Sequence, residues 1–107
     1  MSHFWLSYDL GVQGDYENLY KWLDSNSAKE CGDSIAYIKK YKKLSSNESI
    51  ADTVKKDLKS NVDFGKKDRV YLIFQDNDGN TKGRFIIGNR KASPWEGYAS
   101  NKDEDDF

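Results

Sequence analysis

Aromatic and aliphatic residues alternate around Ser7 over residues 3–10, the period-two pattern of a strand, and the glycines at 11 and 14 break it. Asp15 is placed to cap a helix in which Tyr16, Leu19, Tyr20 and Leu23 fall at i, i+3, i+4 and i+7 along one apolar stripe. That stripe fades in Asp24-Ser25-Asn26-Ser27. Residues 28–31, a turn at Gly32-Asp33 and residues 34–41 predict a short strand paired with a longer one. Ser45-Ser46-Asn47-Glu48 has capping-box spacing, and behind it Ile50, Val54 and Leu58 repeat every four residues, with Ala51 and Val62 widening the stripe of a second helix. Residues 69–75 are β-rich, residues 76–80 carry turn chemistry, and residues 84–90 read as the returning strand of a hairpin.

The order β-α-β-β-α-β plus an additional C-terminal strand predicts an α+β fold of the ferredoxin-like split βαβ kind. Its sheet is antiparallel, with two helices on one face. One domain is expected over residues 1–99, with an acidic tail over 100–107 that lacks the apolar residues needed to order it. Period two then assigns faces. Phe4, Leu6, Tyr8, Ala36, Ile38, Val70, Leu72 and Phe74 face the helices, which leaves Trp5, Ser7, Asp9, Ile35, Tyr37, Lys39, Tyr41, Arg69, Tyr71 and Ile73 on the open side. Such a face is too apolar to be left to water. A second protomer held through Trp5, Ile35, Tyr37, Tyr71 and Ile73 would cover it, and so would the stacked bases of a single strand; Ile35 and Ile73 favour the protomer.

Composition narrows the class. In 107 residues, 36% hydrophobic and 14% aromatic, no apolar run is long enough to span a membrane, and no basic stretch followed by a long apolar one marks a secretory leader. The expectation is a cytoplasmic protein without membrane contact. One cysteine, Cys31, and one histidine, His3, exclude a disulfide framework and the usual four-ligand zinc site. The formal net charge of −1 conceals a partition: residues 1–38 hold two bases against six acids, residues 39–91 fourteen bases against seven acids, and residues 92–107 one base against five acids. The middle of the chain therefore carries a charge of +7 between two segments of −4. A solvated lysine surface and a phosphate-facing patch both fit it. Lys82, Arg84 and Arg90 fall on one side of the expected last strand, and with Lys91 they are the candidate nucleic-acid contacts.

Two motifs fall away on inspection. Gly32-Asp33-Ser34-Ile35 has the look of a hydrolase nucleophile block, yet no histidine follows Ser34 to act as base. Asp76-Asn77-Asp78-Gly79 would be a calcium loop only with an acid where Phe74 stands.

The opening Phe4-Trp5-Leu6-Ser7-Tyr8-Asp9-Leu10, with Asp15-Tyr16-Glu17-Asn18-Leu19 starting the helix, resembles the beginning of the SinR-like proteins. These are small relatives of the Cas-two family of CRISPR-associated proteins and of VapD-type toxins. The similarity runs through Asp33-Ser34, residues 50–58 and Lys67-Asp68-Arg69-Val70-Tyr71-Leu72, while residues 82–98 depart from it. The resemblance implies a ferredoxin-like homodimer whose strand-end acid, here Asp9, holds a divalent metal for nucleic-acid cleavage in some members and does nothing catalytic in others. Two copies of Asp9 facing each other could bind Mg²⁺ or Mn²⁺ through waters; alternatively Asp9 only binds turn amides. The expected function is thus a small nucleic-acid-associated protein, contacting RNA or DNA, with metal-dependent nuclease activity as an extension. The alternative is a non-catalytic interaction module, an inhibitor or accessory subunit of a larger nucleic-acid enzyme.

Overall fold

A computed structural model describes residues 2–42 and 48–99. The elements run β1 (Ser2–Asp9), α1 (Tyr16–Ser25), β2 (Lys29–Glu30), β3 (Ile35–Tyr41), α2 (Ile50–Asn61), β4 (Arg69–Gln75) and β5 (Thr81–Ile87). They form an α+β domain with one five-stranded sheet in the order β2-β3-β1-β4-β5, every neighbouring pair antiparallel. Its two edges are unlike: β2 is a two-residue stub, and β5 is a full strand outside β4, beyond the four strands of a plain split βαβ plan. The expected tail, and Ser45, Ser46 and Asn47 of the expected capping box, lie outside the described residues.

Both helices pack on the face that carries Phe4, Leu6, Ala36, Ile38, Val70, Leu72 and Phe74, and a single core joins these to Leu19, Trp22 and Leu23 of α1 and Ile50, Ala51, Val54 and Leu58 of α2. Asp15 caps α1, its side chain accepting from the Asn18 amide and, across the domain, from the Asp63 amide at 3.0 Å. The cap of α2 is Ser49 rather than a residue of the expected box. Its hydroxyl accepts from the Asp52 amide and donates to the Asp52 carboxylate, so Ser49 and Asp52 make the reciprocal cap four residues further along the chain than expected.

Three expectations are corrected by packing. Tyr20 is exposed and Trp22 takes its place in the core, because Trp22 has a partner for its indole N–H in the Asp57 carboxylate at 2.9 Å. Tyr41, expected on the open face, is fully buried on the helix side. Between the Ser2↔Tyr41 and Phe4↔Ile38 pairs, β1 advances two residues and β3 three, and this one-residue bulge turns Tyr41 inward. The last strand begins at Thr81 instead of residue 84, since the Asp76 carboxylate accepts from the Asp78 and Asn80 amides and closes the turn by Asn80.

Candidate nucleic-acid interface on the open sheet face

Residues paired across antiparallel strands project to the same side, so the register writes out the open face row by row. One row is Lys29, Tyr37, Trp5, Ile73 and Gly83; the next is Ile35, Ser7, Tyr71 and Phe85; Asp9 and Arg69 form the third. Trp5 and Tyr37 lie 4.8 Å apart between ring centroids at 36°, with His3 edge-on to Trp5 at 5.9 Å. Tyr71 and Phe85 make a second pair, T-shaped at 4.8 Å. Trp5, on the central strand, and Ile35, at the start of β3, are 37% and 39% exposed, which leaves two large apolar side chains open to solvent on one face.

Two glycines shape this surface. At Gly83 a Cβ would fall on the Tyr71 hydroxyl, so the tyrosine lies across the glycine and its ring stays flat against the strand. Gly88 has φ +74°, and a Cβ there would meet the Asp68 carbonyl at 2.5 Å. Its left-handed turn brings the chain back so that the Arg90 guanidinium sits 5.3 Å from the Phe85 ring centroid and 5.7 Å from that of Tyr71. Arg69 lies over the same Phe85 ring at 5.7 Å.

The four expected nucleic-acid contacts are not brought together. Lys82 pairs with Phe74 and Arg84 with Leu72, so both point to the helix side. Arg84 binds Asp52 of α2 at 3.1 Å, and Lys82 binds Asp76 at 3.0 Å. The Ser49 hydroxyl first, then Arg84, holds the Asp52 carboxyl below its ordinary range; the Asn80 amide and Lys82 do the same for Asp76. Arg90 alone of the four stands over the aromatic face. Lys91 is exposed and follows it outside any strand. The five expected interface residues, Trp5, Ile35, Tyr37, Tyr71 and Ile73, do share the open face.

Asp9 ends β1 beside Arg69, whose guanidinium binds its carboxylate at 2.9 Å. Among the described residues, no group of three His, Cys, Asp or Glu side chains is placed to hold a metal ion. Asp9 therefore stands, among the described residues of one chain, without the further oxygen ligands that Mg²⁺ or Mn²⁺ requires.

Lys29 and Phe85 belong to the face and were missed in the sequence. The register of a two-residue strand leaves no periodicity to read, and Phe85 needed the true start of β5. No protein-family model, curated protein or solved structure matches this chain. Among the described residues, no helix is long and apolar enough to cross a membrane.

Proposed function

We propose that this chain is a small ferredoxin-like protein that binds single-stranded nucleic acid, without catalysis, across the open face of its sheet. The observation that carries the reading is the pair of guanidinium groups, Arg69 and Arg90, held over Tyr71 and Phe85 beside the Trp5–Tyr37 pair. Rings of this kind stack on bases of any sequence, and adjacent guanidinium groups meet the phosphates between them. Charge supports the same occupant. Asp9 pairs with Arg69, which leaves Lys29 and Arg90 as the positive surplus of the face. A second copy docked symmetrically would set this positive surplus against itself, whereas a polyanion neutralises it. The resemblance of the first seventy or so residues to SinR-like and Cas-two-like proteins also points to nucleic acid. The exposed free thiol of Cys31 suits a reducing, cytoplasmic setting.

Fluorescence anisotropy with labelled single strands and duplexes tests the reading. Single strands bind more tightly than duplexes at low salt, and Tyr71→Ala weakens them by about 5- to 150-fold, the equivalent of one lost stacking partner. Tighter duplex binding, or none to either form, rejects it. The exposure of Trp5 and Ile35 favours a second reading, a homodimer or another protein partner docked on this same face. Light scattering decides between them: a dimer that persists unchanged with excess oligonucleotide, and that Tyr71→Glu with Ile73→Glu splits, replaces the first reading.

A further inference from the structure

We propose that the cleft between the C-terminal end of α1 and the outer edge of β3 is a phosphate-binding site that takes the backbone of the bound single strand as it leaves the sheet face. Its ligand class rests on the nucleic-acid reading above. Lys29, Lys39, Lys40 and Lys42 line this cleft of about 410 Å³ together with residues 25–27. Two features of the fold create it. β2 pairs only with Tyr37 and Ala36, so its short reach leaves the edge of β3 beyond Tyr37 without an outer strand. The bulge that buries Tyr41 then leaves Lys39 and Lys40 exposed at that edge.

Lysines near a helix C-terminus ordinarily satisfy its last carbonyls, and here those of residues 21–24 already have donors. The Asn26 amide donates to Trp22 and Leu23, the Ser27 amide to Asp24 and the Ala28 amide to Leu23, while the Ser25 hydroxyl donates to the Lys21 carbonyl. Among the described residues no acid lines the cleft and none of the four lysines makes an ion pair. Four like charges around one hollow repel each other until an anion neutralises them, and they far outweigh the half-charge of the helix end. Lys29 connects the two surfaces. It lines the cleft and stands in the same cross-strand row as Tyr37 and Trp5, so a strand stacked on those rings carries its phosphates past Lys29.

The test is the salt dependence of binding to a labelled single-stranded oligonucleotide, read for the wild type, the triple variant Lys39→Gln/Lys40→Gln/Lys42→Gln and Trp5→Ala. Each phosphate neutralised on a single strand contributes about 0.7 to the slope of log affinity against log salt, so the triple variant flattens the slope by about 2. Trp5→Ala weakens binding with the slope retained. A wild-type slope in the triple variant, with Trp5→Ala still weakened, overturns the cleft and leaves the sheet-face reading standing. A flattened slope with Trp5→Ala binding as tightly as wild type keeps the cleft and overturns that reading. Absence of wild-type binding at low salt overturns both. All three lysines are exposed, and unchanged melting of the triple variant confirms that its fold is intact.

Discussion

Removing one oxygen from Tyr41 tests how the bulge in β3 is held. The ring is fully buried, edge-on to Phe4 at 5.3 Å and near Trp22 at 6.4 Å, and its hydroxyl donates to the Asp57 carboxylate at 2.9 Å. Tyr41→Phe preserves this packing and deletes a hydrogen bond to a charged acceptor, an interaction of about 1.5–3 kcal/mol. The same carboxylate oxygen keeps the Trp22 indole N–H at 2.9 Å, so the loss belongs at the low end, about 1.5 kcal/mol. For a domain of this size that lowers Tm by roughly 6–12 °C. Asp57→Ala strands both donors and costs about 3 kcal/mol or more; in that background Tyr41→Phe becomes nearly neutral. Burial, and then the bond to Asp57, raise the Tyr41 phenol above its ordinary pKa. With the folded value raised, this stability is complete below about pH 10 and declines above it as the unfolded tyrosine ionises; Tyr41→Phe removes that decline. Chemical denaturation of the two single variants and the double variant reads all three quantities. A loss under about 0.5 kcal/mol for Tyr41→Phe, or the same loss with and without Asp57, refutes the account.

Asp68 is buried and accepts from the Gly11 amide at 2.6 Å and the Gly65 amide at 2.8 Å, clasping the β1–α1 and α2–β4 loops together; Asp68→Ala costs about 3 kcal/mol in thermal melts, two charge-assisted bonds at the lower value. Gly83→Ala pushes the Tyr71 ring off its strand, so single-strand affinity falls toward that of Tyr71→Ala in anisotropy while the melting temperature changes little. Arg84→Gln leaves the salt slope of binding as in wild type, since Arg84 is engaged with Asp52 on the helix side; a slope flattened by about 0.7 would place it in the interface.

The helix-facing core was legible because period two and period 3.6 agreed: Phe4, Leu6, Ala36, Ile38, Val70 and Leu72 met the stripes of Leu19, Leu23, Val54 and Leu58 where expected. The same alternation brought out Trp5, Ile35, Tyr37, Tyr71 and Ile73. It failed where the backbone slips by one residue. The bulge before Tyr41 reverses the face of that residue, and no local propensity marks that slip. Lys82 and Gly83 are weak strand formers, which hid the start of β5 and with it the inward direction of Lys82 and Arg84. Arg90 reaches the aromatic face only through the positive φ of Gly88, a turn that shows in the sequence as one glycine among eight. The lysine cleft gathers Lys29 with Lys39, Lys40 and Lys42 across a strand pairing that rests on two residues, and a reading along the chain leaves them apart.

The most direct test of the central claim is a titration of isotope-labelled protein with a single-stranded oligonucleotide, followed by NMR. The indole N–H of Trp5 and the amides of Tyr37, Tyr71, Ile73 and Phe85 shift together and saturate at one affinity, while the Trp22 indole, bound to Asp57 beneath the sheet, stays in place. Shifts confined to the helix layer, or a spectrum unmoved by excess oligonucleotide at low salt, contradict the claim.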